Sequence, residues 1–420
     1  VYVKLNALSE TVEDQESNQA QLLVCGAQFF PAALQAIAGA QREVRIETYI
    51  FAHDSVGKSF FDAMCEAVAR GVNVRLVLDG FGGQEGIQVW VPQLREAGVH
   101  VRIFQPEGLM FRLNLRRMRR MHRKMIAVDN QIAFVGGINL IDDLNHAAEC
   151  NQFGNETLGP RYDFAVQLQG PIVQVVWHNM EWLWLQIKPS GMVTDTIRLS
   201  RWKDHVDHLK AVFLARQYAK QTLRPTSRMS IELAVRDNFR LRRQIERAYL
   251  KAIGQAKSTV ILSNAYFLPG RKMRKAILAA SARGVQVQLL LQGRVEYRFQ
   301  HYATQNLYSV LLKAGVRIYE YTPGFLHAKV AVVDHIWATV GSSNLDPLSF
   351  LLAREANVVI RHHQFAEQLK NELLRAIEQD SKKIQADQHE QRSIKSRFLS
   401  WICYKLIRIA VFIGGFGSRY

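Results

Sequence analysis

Two stretches of the chain carry the same chemistry-bearing residues at the same spacing. The first holds His122, Lys124, Asp129, Gly136 and Asn139, and the second holds His327, Lys329, Asp334, Gly341 and Asn344. In both, Lys stands at His+2, Asp at His+7, Gly at His+14 and Asn at His+17. One such match means little, but two in register form a strong signal. Residues two apart on a strand face the same way, so each copy presents a titratable base beside a fixed cation. That equipment suits a phosphodiester. Its phosphorus needs a nucleophile, its leaving alkoxide a proton, and its non-bridging oxygens positive charge. Two histidines and two lysines meeting across a pseudo-twofold interface supply all three. Imidazole also ligates metals, yet a lysine at His+2 repels a cation and no carboxylate is adjacent, so no metal is expected.

Asp129 and Asp334 count as catalytic candidates through their place in the motif. Their odd step from the histidine, and Asp129-Asn130 ahead of a β-rich run, read instead as a hairpin turn. Gly136-Gly137 and Gly341-Ser342 are expected to bring backbone N–H groups to a bound anion, with Asn139 and Asn344 adding side-chain hydrogen bonds. Gly137, Ser342, Asn139 and Asn344 are thus the phosphate-binding candidates.

The elements that must position these residues are themselves repeated. Ala36-Ile37-Ala38-Gly39-Ala40-Gln41 leads into a strand at 44–49, and Ala252-Ile253-Gly254-Gln255-Ala256-Lys257 into one at 260–266. Helical patterns follow, closed by Arg70-Gly71-Val72 and Arg283-Gly284-Val285, with glycine suited to the residue just past a helix end. Strands are expected at 73–78 and 286–291. Amphipathic stretches ending in Ala97-Gly98-Val99 and Ala314-Gly315-Val316 come next, then strands at 100–104 and 317–321. Alternation of this kind predicts an α/β fold of two repeated domains, each a mostly parallel sheet flanked by helices. The expected divisions are an N-terminal extension over 1–19, domains over 20–190 and 231–375, a connector over 191–230, and a basic amphipathic tail over 376–420.

Composition fits that size. The 420 residues are 48% apolar and 22% charged, which excludes a disordered or collagen-like chain. Cys25, Cys65, Cys150 and Cys403 are widely spaced and form no Cys-x-x-Cys pair, so four free thiols and a reducing compartment are expected. Residues 1–18 lack the order of a secretory signal, and no run of about 18 uncharged apolar residues would cross a bilayer.

The net charge is +17, and it is clustered. Arg112, Arg116, Arg117, Arg119, Arg120, Arg123 and Lys124 face only Glu107 between 105 and 124, while 392–420 holds six cations and no acid. Such clusters indicate a polyanionic partner. The apolar residues among them, Phe111, Leu113 and Leu115 in the first and Trp401, Ile402, Leu406 and Ile409 in the second, favour lipid over the stacking surface of a nucleic-acid binder. Helical numbering places Arg397, Ser400, Tyr404 and Arg408 on one polar stripe with Lys405 beside it. The expected membrane contacts are Phe111, Arg116, Arg117, Arg119, Arg120, Trp401, Lys405 and Arg408.

The duplicated motif, over residues 20–375, resembles the phospholipase D superfamily. Arg119-Arg120-Met121-His122-Arg123-Lys124, Gly136-Gly137-Ile138-Asn139, Asn264-Ala265-Tyr266-Phe267 and the run from Val340 to Pro347 are similar to bacterial cardiolipin synthases of the shorter B type. The resemblance implies two phospholipase D-like domains with one active site at their interface. It implies ping-pong phosphatidyl transfer through a phosphohistidine, without metal or cofactor, with His122 as nucleophile and His327 as general acid. Two phosphatidylglycerol molecules would give cardiolipin and glycerol. The partners implied are phosphatidylglycerol and other anionic phospholipids at a membrane surface, with no nucleic acid, and the location is the cell membrane, peripheral or monotopic, on the cytoplasmic face of a bacterial inner membrane. An acidic residue downstream of each motif would orient that motif's histidine, at Asp163 for the first and Glu355 for the second. Gly137 stands where the family often has Ser. Hydrolysis by water, as in a phospholipase or nuclease of the same fold, remains the alternative.

Overall fold

A computed structural model describes residues 17–106, 119–146, 158–187, 229–237, 241, 243–346 and 353–411. The connector and part of the first arginine-rich segment lie outside these residues.

In the first half, β1 (Gln19–Val24) and α1 (Cys25–Ala38) precede the crossover series β2 (Glu43–Thr48), α2 (Ser55–Ala69), β3 (Asn73–Asp79), α3 (Gln84–Glu96) and β4 (His100–Phe104). Gly71 follows α2 at φ +87°, a left-handed conformation that closes the helix and suits glycine. The motif then forms a hairpin of β5 (Lys124–Val128) and β6 (Ile132–Gly136), followed by β7 (Gly159–Tyr162), β8 (Phe164–Gln169) and α4 (Ile172–Gln186). Asp129 and Asn130 both have positive φ, the twist a two-residue hairpin turn needs.

The second half repeats the scheme. It runs β9 (Ser230–Arg236), α5 (Gln244–Gln255), β10 (Thr259–Asn264), α6 (Arg271–Ala282), β11 (Gln286–Gln292), α7 (Arg298–Lys313) and β12 (Arg317–Tyr321). Then come β13 (Gly324–Leu326), the hairpin of β14 (Lys329–Val333) and β15 (Trp337–Gly341), β16 (Glu355–Arg361) and α8 (His363–Gln379). The chain continues through β17 (Ser381–Lys383), α9 (Ala386–Glu390) and α10 (Ile394–Val411). β17 pairs with β12, so the expected tail is partly built into the second sheet.

The strand orders are β1-β8-β6-β5-β2-β3-β4 and β17-β12-β11-β10-β14-β15-β16-β9. Both sheets are mixed rather than mostly parallel. Parallel pairing is confined to β2-β3-β4 and β10-β11-β12, where helical crossovers return the chain in the same direction. The motif hairpins reverse it, and the strands beyond them pair antiparallel.

The inner faces of the two sheets pack on each other, with Val135 and Val166 in one core with Val340 and Val358, and α4 and α8 closing it. α1 to α3 cover the outer face of the first sheet, and α5, α6, α7 and α10 that of the second. This back-to-back arrangement is what brings the β5 and β14 motifs to one seam.

Candidate active site

Each histidine is seated on the opposite half of the molecule. His122 donates its backbone N–H to the Arg354 carbonyl at 2.9 Å, and His327 donates its own to the Tyr162 carbonyl at 2.9 Å. The side chains cross in the same sense. His122 Nδ1 lies 3.2 Å from Glu355 Oε2, and His327 Nδ1 lies 2.6 Å from Asp163 Oδ2. Asp163 and Glu355 therefore stand where a histidine-orienting acid should, but with the pairing exchanged. The acid after each motif serves the other motif's histidine, because β7-β8 and β16 reach the seam from the opposite side.

Both lysines fold back onto their own histidine's carbonyl, Lys124 Nζ at 2.9 Å from His122 O and Lys329 Nζ on His327 O. Lys329 also lies 3.5 Å from Asp163 Oδ2. Burial brings the Lys124 ammonium down to about 7. Burial, reinforced by Lys329, pushes His327 down to about 3, and burial with Lys124 lowers His122. Burial acts to raise Asp163, but Lys329 and the hydrogen bond from His327 outweigh it, so its carboxyl is held below the usual range. Without substrate, then, both imidazoles are neutral beside an ionised Asp163. The carboxylates occupy both Nδ1 atoms and leave each Nε2 for chemistry. The His122 and His327 side chains keep 17% and 19% of their surface open, whereas Glu355 keeps none, so only the rings are reachable.

A support layer lies beneath. Ser342 Oγ donates to Glu355 Oε2 at 2.5 Å and accepts from Ala356 N–H at 3.1 Å. At the matching position, a Cβ on Gly137 would fall 2.4 Å from Asp163 Oδ1, so glycine is what admits that carboxylate. The Gly137 and Ser342 N–H groups donate to Phe164 O and Ala356 O. The expectation that Gly137 and Ser342 touch the phosphate is therefore corrected. Their backbone donors are spent on the sheet, and the two positions hold the acids instead. Asn139 and Asn344 lie buried just past β6 and β15. Asn139 Oδ1 accepts from Ile50 N–H at 3.2 Å, and Asn344 Oδ1 has no partner among the described residues.

The family model for the cardiolipin synthase, phospholipase D-like domain matches residues 33–153 and 249–377. The chain is 36% identical over 394 residues to cardiolipin synthase B of Salmonella typhimurium, covering 94% of this chain and 89% of that protein. It is likewise 36% identical to cardiolipin synthase B of Escherichia coli K12, over 88% of this chain and 83% of that one. The chain belongs to the cardiolipin synthase family. A crystal structure of phosphatidylserine synthase from Haemophilus influenzae shares the fold, with TM-score 0.65 and 15% identity over 93% and 94% of the two chains.

In this cardiolipin synthase family member the motif aspartates are not at the seam, which corrects their place among the catalytic candidates. Asp129 accepts backbone N–H groups from Gln41, Arg42 and Glu43, and Asp334 those of Lys257, Ser258 and Thr259. Each ties a hairpin turn to the start of the neighbouring strand. Backbone donors keep both carboxyls low against the upward pull of partial burial.

Three neighbours of the site carry no motif signature. Tyr49 packs edge-on to His122 at 4.9 Å, and Lys124 Nζ lies 5.2 Å from the same ring. Asp79 ends β3 and accepts Met121 N–H at 2.8 Å, while Gln292 ends β11 and accepts Leu326 N–H at 3.1 Å. These two fix the residue just before each histidine, and their matched places at the ends of β3 and β11 were the one signal that could have found them. Among the described residues no cluster of three or more His, Cys, Asp or Glu could hold a metal.

Of the expected membrane contacts, Phe111, Arg116 and Arg117 lie outside the described residues. Arg120 is turned inward, over the Phe81 ring at 4.9 Å and 3.8 Å from Asp79, and Arg119 beside it is half-buried. On α10, Ser400 and Cys403 are buried and Tyr404 accepts from Arg274 at 2.6 Å, so this side packs on α6 and α7, while Arg397 and Arg408 of the polar stripe stay exposed. Ile394, Phe398, Leu399, Trp401, Leu406 and Ile409 also face outward, with Lys405 over Trp401. No helix among the described residues is long and apolar enough to cross a membrane. Cys25, Cys65 and Cys403 are free thiols, and Cys150 lies outside the described residues.

Proposed function

We propose that the protein makes cardiolipin by phosphatidyl transfer between two phosphatidylglycerol molecules, releasing glycerol. The crossed pair of carboxylate-supported histidines, beside two buried lysines, is the observation that supports this reading. A neutral His122, its Nδ1 held by Glu355, attacks the donor's phosphorus through Nε2. His327, protonated in the complex with the anionic substrate and steadied by Asp163, gives its proton to the leaving glycerol oxygen. The resulting phosphatidyl-histidine is attacked by a hydroxyl of the second phosphatidylglycerol, with His327 now taking the proton. Lys124 and Lys329 neutralise charge on the phosphoryl oxygens, and Asn139 and Asn344 stand nearest as side-chain donors. Charge supplied in this way calls for no metal.

The outward face of α10, an apolar patch with Lys405 and Arg408 at its margin, supports peripheral docking on an anionic bilayer. Free thiols accord with the cytoplasmic face of a bacterial inner membrane. Trp401, Lys405 and Arg408 are the contacts proposed there, and Arg116, Arg117 and Phe111 would add a second foothold.

The test is product analysis with purified protein and phosphatidylglycerol vesicles, with and without EDTA. Cardiolipin plus glycerol, unaffected by chelation, is expected. Phosphatidic acid alone would make it a hydrolase, and no turnover would sink the enzymatic reading.

A further inference from the structure

Strand register makes the two halves comparable residue by residue around the site. Lys329 pairs with Asn264, and Lys124 continues the β2-β5 ladder opposite Thr48, so Ala265 in the second half stands where Tyr49 stands in the first. The exchange has a large steric consequence. In the first half the Tyr49 ring fills the space beside His122 and lies against Gly82, where an added Cβ would come within 2.5 Å of it. In the second half a methyl group replaces the ring, and a recess opens.

Its wall includes Ala265, Tyr266, Gln292, Arg294, Glu296 and Tyr297. The recess adjoins the reacting groups. Gln292 accepts the backbone N–H of Leu326, the residue before His327, and Ala265 donates its own N–H at 2.9 Å to the carbonyl of Ala328, the residue after it. Tyr266 donates its hydroxyl to Glu296 Oε2 at 2.6 Å, and its ring meets Tyr297 edge-on at 5.8 Å. Gln292 Nε2 is buried and has no partner among the described residues, so a donor is held ready at the wall. A built pocket therefore combines an oriented carboxylate, an unspent amide donor and two aromatic rings.

We propose that this recess, rather than any counterpart at His122, is the subsite for the alcohol headgroup that accepts the phosphatidyl group, and that it selects a vicinal diol of the glycerol type. The proposal rests on the transferase reading and deepens it. Glu296 accepts from one or both hydroxyls, the Gln292 amide donates to a hydroxyl oxygen, and the tyrosine rings cover the carbon chain. An ammonium alcohol would offer only one hydroxyl, with no second oxygen for the Gln292 amide. In the transfer step the bound hydroxyl oxygen forms the new P–O bond. The P–N bond to the histidine breaks with its electron pair returning to the ring, and the hydroxyl proton passes to His327. In a ping-pong reaction the leaving glycerol occupies the same subsite before the acceptor arrives.

The experiment supplies the full chain with phosphatidylglycerol vesicles and equal concentrations of ethylene glycol, ethanol and ethanolamine, and reads the ratio of phosphatidyl alcohols formed. Wild type is expected to favour the diol about tenfold or more over ethanol. In Glu296→Gln the ratio should fall toward one. Ala265→Tyr, which copies the first half, should lower it as well and raise the share of phosphatidic acid. Because a ratio is read only from active molecules, Tyr266→Phe gives a milder check and should fall between. Equal use of the three alcohols by wild type, preference for ethanolamine, or retention of the diol preference in Glu296→Gln and Ala265→Tyr would overturn the subsite. Failure of wild type to form any phosphatidyl alcohol would instead remove the transferase reading on which it rests.

Discussion

Asp163→Asn offers a sharp test of the crossed dyads, because asparagine keeps an oxygen for the His327 Nδ1–H and deletes only the charge. Asp163 lies 2.6 Å from His327 and 3.5 Å from Lys329, so the substitution removes a carboxylate from two cations of the reacting complex. Unit charges about 4 Å apart at an effective dielectric near 20 interact by roughly 4 kcal/mol. Discounting that modestly for the retained hydrogen bond leaves about 3–4 kcal/mol, a loss in kcat of about 10²–10³-fold. The same energy lowers the His327 pKa in the complex by roughly two to three units. If His327 is the acid, it must be protonated to act, so the alkaline limb of the kcat profile moves to lower pH. Glu355→Gln should move the acid limb down instead, because His122 must be neutral to attack. In the substrate-free protein, ¹⁵N-imidazole spectra should register Asp163→Asn at His327 and not at His122. Exchange of the two limbs would reverse the assignment of nucleophile and acid. Turnover within threefold of wild type with neither limb displaced, or a response at His122, would refute the crossed arrangement.

Asp129→Ala and Asp334→Ala should each cost about 2–3 kcal/mol of stability by orphaning three backbone donors, with kcat per folded molecule unchanged; denaturant melts and single-turnover assays check this. Burial holds Lys124 at about 7 against an ordinary 10.5, so its contribution to stability is full above 10.5 and is lost as pH falls toward 7. Lys124→Met should therefore be inactive yet up to about 5 kcal/mol more stable than wild type below pH 7, with the difference shrinking toward pH 10.5 in thermal melts. Replacing Phe398, Trp401, Leu406 and Ile409 by Ser should weaken binding to phosphatidylglycerol vesicles by about 100-fold or more, given about 1.5–3 kcal/mol for each large side chain fully buried in lipid, while turnover on micellar substrate persists. Co-sedimentation with vesicles checks it, and unchanged binding would remove α10 from the membrane contact.

What the sequence determined by itself is local. The paired His-x-Lys motifs, the Asp-led hairpin turns, the glycines closing α2 and α6, and the order of crossovers all follow from short-range rules. Alternation sets which side of a strand a residue faces, and positive φ selects the turn residues. The sheets are mixed rather than mostly parallel because antiparallel pairings outnumber the two parallel ones in each sheet, and a pattern of apolar runs does not report strand direction. Only the tertiary structure decided which carboxylate serves which histidine. His122 and Glu355 are 233 residues apart, and His327 and Asp163 are 164 apart, so an acid read downstream of its own motif was assigned to the wrong partner. The same holds for Gly137, whose missing Cβ matters because a carboxylate from β7-β8 occupies that space. It holds for Ala265, whose small size means something only beside the ring that fills the first half. For α10, helical periodicity could separate a polar from an apolar face, but which of them would meet the protein depended on the surface offered by α6 and α7. Their polar Arg274 and the space above it took Tyr404, and the apolar face was left outside.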